Sequence, residues 1–152
     1  MRAYLLFALL SAPIGLMAQY GAFDAAAVKA SKATTLTVVL DPGDSPFNRT
    51  IMEAVKGNWT LHASIDFITA ADLGAQPMTP EKTYLMKTVK VDPVKFEGTF
   101  LSVVKGWKQR KGEALQFKEQ AFTGVPAEQE LAFIMIDQKA LGEGRNAAML
   151  TV

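Results

Sequence analysis

The run Thr35-Leu36-Thr37-Val38-Val39-Leu40, followed at once by Asp41-Pro42-Gly43-Asp44 and Ser45-Pro46, constrains this chain more than any other feature. The run is β-branched or aliphatic throughout and apolar on both alternating faces near its end, the pattern of a strand covered on both sides. Pro42 and Gly43 stand where a type II turn requires them. Ser45 is a good N-cap, and Pro46 falls at the first helical position, where its missing N–H costs nothing. Phe47, Ile51, Met52, Val55 and Trp59 then draw one apolar helix face. Ser64 to Ile68 reads as the next strand, with Gly57 ending or fraying the helix before it. A strand, a helix and a strand in this order predict a parallel βαβ unit with a right-handed crossover.

Downstream, Thr69-Ala70-Ala71-Asp72 fits a capping box with Asp in place of Glu and opens a short helix that stops before Pro77. Thr83 to Val89 and Thr99 to Val104 read as a third and a fourth strand, returning antiparallel through Asp92-Pro93. A turn over Lys108 to Gly112 leads to Leu115, Phe117 and Ala121 alternating with Gln116, Lys118 and Gln120, which reads as one half-exposed strand. Leu131 to Ile136 alone has strand character. The wider window Pro126 to Leu141 favours helix, with Pro at its start, Glu128 and Glu130 in the first turns, Lys139 near the end and Gly142 beyond. The predicted fold is therefore α/β, with α+β as the alternative: a mixed sheet of about five strands that starts with a βαβ unit, followed by antiparallel strands and a C-terminal helix.

The first eighteen residues read as a secretory signal peptide. Arg2 supplies the positive end, Tyr4 to Leu10 the apolar stretch, and Leu16-Met17-Ala18 the cleavage site. Ser11 and Pro13 interrupt the apolar run too early for a membrane anchor. Without a cysteine at the junction there is no lipid attachment. Residues 1–18 are thus a removable leader, 19–33 an N-terminal lead-in with a short helix over Ala25 to Lys32 capped by Asp24, and 34–152 a single α/β domain. Met149-Leu150-Thr151-Val152 is apolar with no terminating turn, which predicts an element continuing past Val152. Export places the mature protein in the periplasm or outside the cell, with no membrane span after cleavage.

Sixteen Lys plus Arg stand against fifteen Asp plus Glu, with one His and no Cys. Cleavage removes only Arg2 among the charged residues, so the mature chain is formally neutral and lacks the basic surplus of a nucleic-acid binder. Disulfides, thiolate chemistry, Cys-based zinc sites and multi-histidine metal centres are excluded outright. A Ser–His–Asp triad would have to use His62, which reads as a partly exposed residue between helix and strand, and no nucleophile elbow is present. No cofactor is implied. Gly142-Glu143-Gly144-Arg145-Asn146-Ala147 matches a dinucleotide fingerprint formally, but it does not lie between a strand end and a helix start, and reads as a helix C-terminal turn.

Two places are candidate sites. The loop Asp41, Gly43, Asp44 and Ser45 lies beyond the carboxyl end of the first strand and at a helix N-terminus, where open α/β sheets hold ligands. Its two carboxylates resemble the aspartate loop of haloacid-dehalogenase-type phosphatases. That resemblance implies a nucleophilic or metal-holding Asp41 and an acid/base Asp44, although the family spaces them Asp-x-Asp. The second place is a predicted hairpin tip where Lys105, Lys108, Arg110 and Lys111 surround Trp107, a combination suited to an anionic polymer, glycan or headgroup. Asn48-Arg49-Thr50 and Asn58-Trp59-Thr60 match the N-glycosylation pattern on the predicted helix.

The Ala18-Gln19 junction, the Thr35 to Leu40 run, Asn58-Trp59-Thr60 and Asp66-Phe67-Ile68-Thr69 together resemble uncharacterised exported α/β proteins of Bacteroidetes-type bacteria. The resemblance implies a periplasmic or envelope location and brings no activity with it. The expectation is a non-enzymatic envelope module that binds a protein or small ligand through a sheet edge or the strand-end loops. The alternative is a small metal-dependent phosphoesterase or hydrolase using Asp41 and Asp44.

Overall fold

A computed structural model describes residues 24–92, 96–110 and 114–136. The predicted leader, Lys111, the glycine motif at Gly142 to Ala147 and the apolar C-terminus lie outside the described residues. Helix α1 (Ala25–Ser31) begins at Asp24, whose carboxylate accepts from the Ala26 and Ala27 amides. Strand β1 (Thr35–Leu40) leads into α2 (Pro46–Asn58), capped by the Ser45 hydroxyl on the Asn48 amide. Gly57 is inside that helix and does not end it. Strand β2 (Ser64–Thr69) runs into α3 (Ala70–Ala75), where Thr69 and Asp72 close the expected capping box. The Asp72 carboxyl is held below its ordinary range by its bonds to the Thr69 hydroxyl and amide.

Strand β3 (Lys82–Asp92) and β4 (Phe96–Lys105) form the expected antiparallel hairpin, from the Thr83–Lys105 pair to Asp92–Phe96. The single strand expected around Phe117 is instead a hairpin, β5 (Gln116–Lys118) and β6 (Ala121–Thr123). It turns on Glu119 and Gln120, both at positive φ. Two successive left-handed residues suit a tight hairpin turn whose twist matches its strands. The expected C-terminal helix is not formed over the described part of its window. Ala127–Gln129 is one 3-10 turn, and Glu130–Met135 is strand β7, paired antiparallel with β4. Tertiary pairing overrides the helix-start signals because Leu131 to Ile136 is also a good strand sequence, and the β4 edge supplies the ladder.

The seven strands form one mixed sheet in the order β2-β1-β3-β4-β7, with β6 beside β3 beyond the end of β1 and β5 outside it. Strands β1, β2 and β3 are parallel, so the α/β class and the opening βαβ unit stand, with more strands than expected. The chain goes from β1 to β2 on one side, then crosses back over β1 to β3. Crossovers of one hand in opposite directions put their helices on opposite faces. Accordingly Phe47, Ile51 and Val55 of α2 pack on Leu36, Val38 and Leu85. Ala70 and Leu73 of α3 pack on Val39, Tyr84, Met86, Val104 and Phe122. The alternation of β1 is divided between two cores, which is why it reads as apolar on both faces.

Candidate functional site

The reversal of strand order about β1, with β2 on one side and β3 on the other, marks the topological switch point of the sheet, the position where open α/β sheets offer a crevice beyond their strand ends. Asp41, the first residue after β1, is there and is buried. Its carboxylate holds the Lys87 ammonium, with Nζ 2.6 Å from Oδ1 and 2.7 Å from Oδ2. Lys87 is also buried, and its ammonium lies 4.6 Å from the centroid of the Phe47 ring. Asn48 ties the loop from inside. Its side-chain oxygen accepts the Asp41 amide at 2.8 Å, while its nitrogen donates to the carbonyls of Asp41 and Gly43 at 3.0 and 2.7 Å.

Gly43, at φ +75°, turns the chain so that Asp44 faces outward, where its carboxylate pairs with Arg49 at 2.7 Å. Phosphoryl or metal chemistry at this loop needs both carboxylates on one ligand. The structure does not bring them together: Asp41 faces inward onto Lys87 and Asp44 faces outward onto Arg49. Ser45 is committed to its cap. The fixed loop is thus a plug between β1, α2 and β3. Asn48, the first residue of one glycosylation sequon, is buried within it.

The Trp107 segment lies at the other end of the sheet, just past the Lys105–Thr83 pair at the start of β3. It is no hairpin tip. Trp107 is half-buried on the α3-side core, and its indole N–H is buried without a partner among the described residues. Gln109 accepts the Met78 amide at 3.0 Å, and Lys108 and Arg110 are exposed. The two sequence-derived sites are therefore separate. His62 also departs from expectation: it is buried, stacked on Trp59, and takes the indole N–H of Trp59 on Nδ1 at 2.9 Å. Burial holds its pKa below the ordinary 6.5.

Among the described residues, the most open apolar surface lies outside both predicted loops. At β7, Phe133, Ile134 and Met135 are 37, 45 and 45% exposed. Such neighbours on an edge strand are a contact surface, unlike single scattered apolar residues. Phe133 is held in place by an edge-on contact with Phe100, ring centres 5.5 Å apart, and by the Lys90 ammonium 3.3 Å from its ring centre. Lys90 in turn forms a buried ion pair with Glu130. On the α2 side the same strand borders a groove of about 390 Å³ with Ile51, Val55, Trp59, Leu101 and Val103 in its walls. That volume is in the range of ligand sites. The sequence signal was the uncharged stretch Leu131 to Met135, which reads equally as a covered helix face.

Among the described residues, no group of three or more His, Asp or Glu is placed to hold a metal ion, and no helix is long and apolar enough to cross a membrane. Comparison with protein-family models, curated proteins and solved structures finds no match.

Proposed function

We propose that this chain is an exported module of the cell envelope that binds an apolar partner at the β7 edge and its adjoining groove, without catalytic chemistry of its own. The observation that carries the reading is the run of exposed apolar residues Phe133 to Met135 beside the groove between α2 and the sheet. Export is supported by the Arg2, Tyr4 to Leu10 and Ala18 pattern. A binding role is favoured over a phosphoesterase because the Asp41 carboxylate is neutralised by Lys87, leaving the loop no paired carboxylates to offer a metal or a phosphate.

The direct test is titration of the full chain with 1-anilinonaphthalene-8-sulfonate, a fluorophore whose aromatic rings bind apolar surface. Ala54 lines the groove from the exposed side of α2, so Ala54→Phe fills it with little effect on the core. Probe affinity should fall at least about tenfold in that variant, a change of about 1.4 kcal/mol. Equal affinity in both proteins refutes the groove as the site. An intact mass starting at Gln19 after expression in a secreting host supports export, and a retained leader overturns that half of the reading.

A further inference from the structure

The occupant of the β7 edge can be read from its register. The Ile136 amide donates to the Thr99 carbonyl at 3.0 Å, in step with the Met135–Phe100 and Ile134–Leu101 pairs. Bonded and non-bonded pairs alternate along an antiparallel ladder. Ile134 and Ala132 therefore direct their main-chain groups at β4, whereas Phe133 and Met135 direct theirs to the outer side. Among the described residues nothing pairs on that side.

We propose that a second copy of this chain pairs there, β7 against β7, about a two-fold axis through Phe133; the inference rests on β7 being the binding edge. This axis opposes Phe133 to Phe133 and Ala132 to Ile134; the register shift of β7 on β4 at Leu131 ends the regular ladder there. Every opposed pair is apolar, and residues on one face meet residues on the same face. Ala132 to Met135 contains no charge and no Pro, two devices by which solitary edges prevent such pairing, and the bulge of β7 lies before it at Leu131. The nearest charge, Glu130, is buried on Lys90. Phe133 is already oriented by Phe100 and Lys90, so little order is lost on pairing. Ile134 of each copy would lie beside Ala132 of the other and extend the groove wall. The contact is self-complementary and uses the same edge of both copies, so it gives a dimer and not a head-to-tail chain.

Sedimentation of the full chain over a hundredfold range of concentration should show a reversible monomer–dimer equilibrium. Ile134→Lys should weaken it at least tenfold. Because the chain has no cysteine, Phe133→Cys gives a direct geometric readout. Opposed residues in a bonded pair have Cα atoms about 5.5 Å apart, within the roughly 4.4–6.8 Å range of disulfides. Oxidation should link the two copies of that variant, while Glu128→Cys, exposed on the 3-10 turn, should stay unlinked. A wild-type chain that is monomeric throughout, with an unlinked Phe133→Cys, overturns the proposal. Such a monomer that still binds the fluorophore in an Ala54→Phe-sensitive way overturns the dimer alone. A monomer that binds no fluorophore overturns the groove reading as well. A monomer whose Phe133→Cys thiol resists alkylation shows that the chain covers its own edge, and this too overturns the dimer.

Discussion

Replacing Lys87 with Met removes the cation that Asp41 holds while keeping the length of the side chain. Both partners are nearly sealed from water, with side-chain exposures of 5% for Lys87 and 8% for Asp41. Removing one member of such a pair leaves an uncompensated buried charge and costs about 3–5 kcal/mol. In a chain of this size, about 2–4 °C per kcal/mol turns that into a fall in Tm of roughly 6–20 °C. The surface pair Arg49–Asp44, with exposures of 60 and 78%, is the internal control. Arg49→Met should cost less than about 1 kcal/mol. The double variant Asp41→Leu/Lys87→Met buries no charge and should return to within about 1–2 kcal/mol of the parent, since apolar replacement of a whole buried pair is often neutral or better. Urea unfolding followed by tryptophan emission closes the cycle, and the coupling energy should exceed about 2 kcal/mol. If Lys87→Met costs no more than Arg49→Met, or the double variant is no more stable than the weaker single, the loop is not a desolvated plug and the argument against a reactive Asp41 fails.

Three further outcomes follow from single side chains. The Thr37 hydroxyl is fully buried without a partner among the described residues, so Thr37→Val, which replaces it with a methyl of the same shape, should stabilise by about 1 kcal/mol in urea melts; a loss of that size would mean the hydroxyl is bonded. A Cβ at Gly106 would stand 1.8 Å from the Thr79 carbonyl oxygen and 2.8 Å from that of Lys82. Both contacts are backbone, so Gly106→Ala should destabilise by about 3 kcal/mol, and an unchanged melting curve would refute the close approach. His62 should titrate by NMR below 6.5, because burial disfavours its charged form. Its contribution to stability is complete above pH 6.5 and is lost as pH falls through the lowered folded value, at no more than about 1.4 kcal/mol per pH unit. Protonation also places a hydrogen on Nδ1, where Trp59 now donates. Titration at or above 6.5 would contradict this assignment.

Local chemistry determined a large part of this protein before any fold was known. Thr35 to Leu40, the Ser45-Pro46 start, the Thr69–Asp72 box and the β3–β4 return depend on residues within a few positions of one another, so the sequence alone places them. The parallel βαβ unit follows because strand, turn and helix succeed one another too closely for another path. Segments with two admissible local states were decided elsewhere. Leu131 to Met135 became a strand because β4 offered an open ladder, and the Phe117 region became a hairpin because buried Phe122 pairs beside Thr88 of β3, which holds Glu119 and Gln120 at positive φ. Lys87 and Lys90 read alike in sequence, as polar positions in a strand. Their separation by three residues sends them to opposite faces, one onto Asp41 beside Phe47 and the other onto Glu130 beside Phe133. Their partners lie 46 and 40 positions away in the chain, respectively. Only the sheet register could bring those residues together. The same register neutralised Asp41, which the sequence had marked as the reactive group, and left β7, which it had marked as a helix, as the exposed edge.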